Sequence, residues 1–303
     1  MKIIGAGLSG LLAGALFPGS TIYERQGSLP HNHGAILRFR GYKIGQSLGI
    51  PFKRVKVTKA IWYDGQEVQP TPRIQNMYSH KVLAEYSARS IRDISTVNRY
   101  IAPDDFIEQL AKRCTIVFNR SFPEFGKRTD MPTISTIPMP SMMNKMGLPV
   151  PGGQLTFSHR PIWTRTYELP NADIYQTIYY PDPQTNVYRA SFTGNKLICE
   201  FMNDPVRVGL PLFFIAETFG VNGEKLIDIG SGTQEHGKIV EIPNPIRRSI
   251  MAQLTHEHNI YSLGRFATWR NILLDDVFDD IFRIKDLINL DSYSRKLALA
   301  EEK

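Results

Sequence analysis

The chain has 303 residues, 42% of them hydrophobic and 21% charged, with a net charge of +7 and an isoelectric point near 9.3. That balance is ordinary for a globular protein and leaves room for one large domain or two interwoven ones. No apolar run approaches the ~20 residues of a membrane-spanning helix, and two cysteines, Cys114 and Cys199, are too few for a disulfide framework.

In chain order, a strand over residues 1–4 runs straight into Gly5-Ala6-Gly7-Leu8-Ser9-Gly10. A chain that opens on a core strand predicts no targeting peptide and, with the cysteine usage, a cytoplasmic location. An apolar helix over 11–16 follows, then a strand over 20–23 ending at Glu24. Strand, glycine turn, helix, strand and acid together form the dinucleotide-binding fingerprint in its required context. Gly5 permits the tight turn, Gly7 lets a pyrophosphate approach the backbone, and Gly10 lets the helix lie close to the sheet. The helix start directs its amides and positive dipole end at phosphates, with Leu8 and Ser9 in that first turn. Glu24 is placed for a ribose hydroxyl pair, with Arg25 beside it among the candidate cofactor contacts.

Residues 28–39 read as a loop entering a strand. Gly34 and Ala35 allow close approach to a cofactor, and Arg38 joins the candidate contacts. His31 and His33 have no third ligand nearby, so no metal site is expected. A hairpin over 56–69 turns at Asp64-Gly65. A short helix over 77–87, a brief strand at Ile94, a helix over 106–113 and a strand over 114–118 come next. A strand over 133–138 stops at proline, and a helix over 141–146 follows. Met139, Met142, Met143 and Met146 read as packing groups.

From 173 to 201 the pattern is antiparallel strand. Trp163, Arg165, Tyr167, Tyr175, Tyr179, Tyr180, Tyr188 and Arg189 lie in or just before it, and alternation places several on one face. Such a face suits a planar, anionic substrate; a plain sandwich core with exposed arginines is the alternative. A helix over 210–219 leads to strands over 226–229 and 238–242. Gly230-Ser231-Gly232 between them reads as a turn, since no helix follows it. Pro243-Asn244-Pro245 introduces a helix over 246–256, and a strand over 259–263 ends in Gly264-Arg265-Phe266-Ala267-Thr268-Trp269. A final helix opens near residues 273–278.

This last stretch resembles the UDP-galactopyranose mutase and flavin amine oxidase superfamily. In its mutase branch a Gly-Arg pair is followed by an aromatic five residues after the Gly, then Met-Asp and a helix. Gly264, Arg265, Trp269, Leu274 and Asp275 fall on that pattern, with Leu274 in place of the Met. The upstream Pro-Asn-Pro segment and the strand ending Ile134-Ser135-Thr136-Ile137-Pro138 are similar too. The double tyrosine of the mutases is absent, with Asn271 and Ile272 there instead.

The resemblance implies an FAD cofactor, its ADP half on the N-terminal fingerprint and its flavin embraced by Gly264, Arg265, Trp269 and the helix start at Asp275, Asp276 and Val277. It implies an α/β fold: a Rossmann-like FAD-binding domain with an inserted antiparallel-sheet substrate domain. The FAD-binding domain is then discontinuous, over 1–50, 95–150 and 220–303, and the substrate domain spans 51–94 and 151–219. The implied activity is that of an amine-oxidase-like, FAD-dependent oxidoreductase acting at a C–N or C–H bond through flavin N5. Similar compact flavoproteins among bacteriophage enzymes of thymine hypermodification extend the expected partners from a small molecule to a nucleobase in DNA, which suits the basic charge. Two alternatives stand beside it: a mutase-like sugar isomerase using reduced FAD, with Arg165 and Arg189 clamping a diphosphate, and a flavin-binding protein without turnover. No side-chain base stands out; His159, Tyr175, Arg165 and Arg189 are the candidates for catalytic contact.

Overall fold

The computed structural model describes residues 1–29, 37–86, 90–149, 155–209 and 211–300. Its strands are β1 (Lys2–Ile4), β2 (Thr21–Tyr23), β3 (Arg38–Phe39), β4 (Lys53–Tyr63), β5 (Gln66–Glu67), β6 (Val97–Ile101), β7 (Thr115–Val117), β8 (Thr133–Ser135), β9 (His159–Glu168), β10 (Ile174–Tyr179), β11 (Val187–Gly194), β12 (Lys196–Phe201), β13 (Ile227–Ile239) and β14 (Ile260–Ser262). Its helices are α1 (Leu8–Leu16), α2 (Lys43–Leu48), α3 (Pro72–Leu83), α4 (Phe106–Ala111), α5 (Met139–Met146), α6 (Pro205–Val208), α7 (Leu212–Thr218), α8 (Asn244–His258), α9 (Leu274–Asn289) and α10 (Ser292–Ala300).

Five strands form a parallel sheet in the order β14-β8-β1-β2-β7. Short apolar strands of this kind need cover on both faces. Ile3, Ile22 and Ile134 pack with Leu11, Phe106 and Val277 on one side. Ile4 and Ile260 pack with Met139, Met142, Ile250 and Leu254 on the other. All four methionines are at most 6% exposed, the packing role expected of them. The chain moves from β1 to β2 and β7, then returns to β8 on the other flank. The switch point therefore lies between β1 and β8, where an open α/β sheet receives its ligand.

The second sheet is larger, with nine strands in the order β13-β9-β12-β11-β10-β4-β6-β3 and β5 beside β4. It is mixed rather than wholly antiparallel, because β10 and β4 run parallel. β3, β6 and β13, inside the ranges expected for the dinucleotide domain, are hydrogen-bonded into this second sheet.

Several boundaries differ from the sequence reading for local reasons. α3 starts ahead of the expected 77–87 because Thr71 Oγ1 accepts the Ile74 amide at 3.3 Å and Pro72 occupies the first turn. Lys81 then ties this helix to the β10–β11 turn, donating to the carbonyls of Tyr180, Asp182 and Val187 and to Thr185 Oγ1 at 2.7–2.9 Å. Ile94 lies outside any strand; β6 starts at Val97. Gly230-Ser231-Gly232 does not break the chain: it lies within β13, which absorbs it through register shifts against β9. α10 was not expected from the sequence.

Candidate functional site

The glycine turn is built as tightly as backbone allows. Gly5 has φ +94° and donates its amide to the Tyr23 carbonyl at 2.9 Å. A Cβ on Gly10 would lie 2.0 Å from the Gly5 carbonyl oxygen, so helix and turn are in backbone contact. At Gly14 an added Cβ would meet Cys114 Sγ at 2.7 Å and Ile22 Cδ1 at 2.8 Å. Gly7, the residue preceding α1, is the contrast: no atom of the described residues lies within 4 Å of an added Cβ. No side chain among the described residues caps α1 and no acid stands in its first turn, so its opening amides, at Leu8 and Ser9, are left for an external anion.

Glu24 stands at the end of β2, 6% exposed. Its Oε2 accepts the Ala6 amide at 2.8 Å and its Oε1 the Gln26 amide at 2.9 Å. The carboxylate thus faces the glycine turn, and each oxygen keeps a second lone pair for a ligand hydroxyl. Arg25, next to it, is exposed. Glu24→Gln leaves one of the two amides facing an NH2 group instead of an acceptor. The expected cost is about 1–3 kcal/mol, read as a lower unfolding midpoint in denaturant; an unchanged midpoint would mean that the carboxylate does not hold the turn.

The C-terminal signature meets this turn directly. Gly264, at φ +92°, follows β14, and a Cβ there would lie 2.4 Å from Ser9 Oγ. Only glycine lets the two ends of the chain approach so closely. Arg265 pins the turn to β13, donating to the Gly237 carbonyl at 3.1 Å and to Asn271 Oδ1 at 3.2 Å. Trp269 departs from its expected cofactor role. It is 0% exposed, donates Nε1–H to the Val240 carbonyl at 2.8 Å, and supports the turn from within the core.

The start of α9 also differs from an open amide end. Asp276 Oδ2 accepts the Leu273 amide at 2.8 Å, and the Asp276 amide donates to the Leu273 carbonyl at 3.1 Å. Asp275 accepts the amides of Arg40 and Gly41 at 3.0 and 3.2 Å, and the Arg40 guanidinium pairs with Asp276. Val277 is buried core. Two carboxylates here repel an anion and hold the segment after β3 in place.

The remaining candidates are dispersed. Arg38 reaches the second sheet, donating to Thr193 Oγ1 at 2.9 Å, to Thr177 Oγ1 at 2.8 Å and to the Phe192 carbonyl. Arg189 is ion-paired with Glu200. Arg165 pairs with Asp228 at 3.0 Å; by alternation it shares the sheet face of Tyr167, opposite Arg189. Neither arginine is an open clamp for a diphosphate. Tyr175 donates to Asp173 at 2.7 Å and accepts from Lys53 at 2.8 Å, which makes it a poor general base. Gly34, Ala35, His31 and His33 lie outside the described residues.

His159 has a neighbour that the sequence did not reveal. His236 stacks on it at 4.3 Å with 24° between the planes, and both rings stand nearly perpendicular to Trp269. Burial and then His159 push the His236 imidazole below its ordinary value. Reading β13 as two strands around a turn hid this pair. Among the described residues no cluster of three metal-ligating side chains occurs, and no helix is long and apolar enough to cross a membrane.

No protein-family profile and no curated protein matches the sequence. Solved structures do match its fold. A reduced UDP-galactopyranose mutase is 14% identical, with a TM-score of 0.63 over 94% of this chain and 93% of that one. A probable FAD-dependent monooxygenase from Pseudomonas aeruginosa, PqsL, is 11% identical, with a TM-score of 0.57 over 98% and 89%. A geranylgeranyl bacteriochlorophyll reductase-like protein from Thermoplasma acidophilum is 12% identical, with a TM-score of 0.55 over 99% and 81%. At such identities the likeness establishes the α/β architecture, a Rossmann-like sheet with a second sheet inserted, and not the reaction.

Proposed function

We propose that the chain is an FAD-dependent oxidoreductase acting at a C–N or C–H bond. The observation that carries this reading is the meeting of three features at one switch point: the uncapped start of α1 with its open Gly7, the fixed Glu24 carboxylate, and the Gly264 turn against Ser9. The fit is chemical as well as spatial. The amides of Leu8 and Ser9 suit a pyrophosphate, Glu24 suits a ribose diol, and the Gly264 turn abuts Ser9 beside them. FAD-dependent enzymes among proteins of this fold support the same cofactor.

Bound flavin supplies a hydride acceptor at N5. The residues of the chain hold and orient it, and the second sheet selects what reaches it. A narrower form of the proposal takes a modified thymine in DNA as substrate; its support is the net charge of +7. A mutase-like isomerase is the second reading, favoured by the match over almost the whole mutase chain.

The visible spectrum of purified protein is the test. Paired flavin bands are expected, or their appearance on adding FAD. A folded, colourless preparation that refuses FAD would falsify the reading. Anaerobic bleaching by a trial amine or modified DNA supports the oxidoreductase, whereas turnover of a UDP-sugar only with prereduced flavin supports the isomerase. Salt-independent or absent DNA binding removes the narrower form.

A further inference from the structure

The second sheet has one apolar face and one that is not. Ala60, Tyr167, Phe192 and Phe201 pack under Ile215 and Ala216 of α7. On the opposite face, strand register sets Lys59 beside Thr177 and Thr177 beside Ser191, with Arg189 between Tyr179 and Glu200 in the next row. Arg38 lies across these rows, its guanidinium on Thr177 and Thr193. Arg99 stands opposite Val55 on β6 and, by the alternation of β4, on the Lys59 side.

Cations outnumber anions there. Glu200 is taken by Arg189 and by Tyr188, whose hydroxyl donates to it at 2.8 Å. Arg38, Arg99 and Lys59 form no ion pair among the described residues, and Asp93 acts on Lys59 only through its charge and a long 3.5 Å carbonyl contact. Burial, then Arg189 and Arg99, push the Arg38 guanidinium down to about 10, and burial and Arg99 lower Lys59 as well. Crowded, half-buried cations cost stability unless something neutralises them. Arg38 is fully engaged as a floor. Among the described residues Lys59 has that single long contact and Arg99 donates only to the neighbouring Asn98 carbonyl at 2.8 Å, so both keep N–H groups for a ligand.

We propose that this face holds an oxyanion of the substrate, a carboxylate or a phosphate, gripped by Lys59 and Arg99 above the Arg38-Thr177-Thr193 floor. The assignment of the ligand as substrate rests on the enzyme reading; the anion site itself does not. It replaces the clamp expected of Arg165 and Arg189, which are both engaged elsewhere.

The test is calorimetric titration of FAD-saturated protein, so that the glycine turn cannot take the probe. Inorganic pyrophosphate represents the phosphate source and glutarate the carboxylate source. One of the two is expected to saturate a single site. Lys59→Gln and Arg99→Gln should each weaken it about 10- to 100-fold, the loss of one charge-assisted hydrogen bond. Arg54→Gln and Lys56→Gln remove the same charge from exposed positions that alternation places on the other side of β4, and should leave it unchanged. Binding of neither probe, or equal losses in both pairs of variants, overturns the site. Flavin content, read from the spectrum before each titration, reports separately on the cofactor. If no FAD is taken up, Lys59- and Arg99-dependent binding to the flavin-free protein still sustains the site, and its absence overturns it.

Discussion

Gly7→Ala is expected to fold like the parent chain and to lose FAD about 10- to 100-fold, the scale of one hydrogen bond to a charged group. The backbone at Gly7, φ −68° and ψ 174°, suits alanine, and an added Cβ meets no atom of the described residues within 4 Å. The methyl therefore occupies the space a pyrophosphate would enter, at a cost to the helix start of about 0.5–1 kcal/mol. Gly10→Ala supplies the contrast. Its Cβ would sit 2.0 Å from the Gly5 carbonyl oxygen, which is backbone and cannot swing aside. That variant should lose both flavin and stability, the latter by about 1–3 kcal/mol or more. Flavin fluorescence titration and thermal unfolding on the two variants separate the effects. Normal FAD affinity in Gly7→Ala would mean that the pyrophosphate does not pass over this turn.

Legibility in the sequence followed contact distance along the chain. The glycine turn, α1, β2 and Glu24 sit within one short segment, where spacing and residue type determine the geometry. The meeting of Gly264 with Ser9 spans nearly the whole chain; the glycine-arginine resemblance implied that both chain ends join one domain, but not this contact. The polar face of the second sheet offered no such cue. Arg38 finds Thr177 and Thr193 across 139 and 155 residues, and which arginine becomes an open donor depends on register and alternation. A bulge at Tyr188 adds to this: the register passes from Val187–Phe201 to Arg189–Glu200, so Tyr188 and Arg189 both turn to one carboxylate. Simple alternation would have separated them. The helix start at Asp275 misled for a different reason. The same residues that resemble a flavin-embracing end also serve as caps and as partners for Arg40, and only the hydrogen bonds distinguish the roles.

The Arg189–Glu200 pair carries the largest stability effect expected outside the cofactor site. Glu200 is 6% exposed and central in the second sheet. Burial pushes its carboxyl up, but Arg189, with Lys238 and the Tyr188 hydroxyl, more than offsets this and holds it at about 2. Arg189→Met leaves that charge buried with the Tyr188 hydroxyl and Lys238. Removing one partner of a buried pair costs about 3–5 kcal/mol. The lower end is expected, because 32% of the Arg189 side chain remains exposed. Acid should narrow the gap. With a folded value below the ordinary 4.5, the contribution of Glu200 is complete above that pH and is lost as pH falls toward 2. In Arg189→Met, burial is opposed by Lys238 and the Tyr188 hydroxyl without the arginine, so the carboxyl rises and protonation relieves the variant instead. Replacing both residues with methionine should recover only part of the loss: two apolar groups need no partner once both charges are gone, but the buried Tyr188 hydroxyl loses its acceptor. Denaturant unfolding of the three proteins at neutral pH and near pH 3 decides the matter. A single-variant loss below about 1 kcal/mol, within the range of a surface pair, would place this ion pair in solvent and remove it from the core of the sheet.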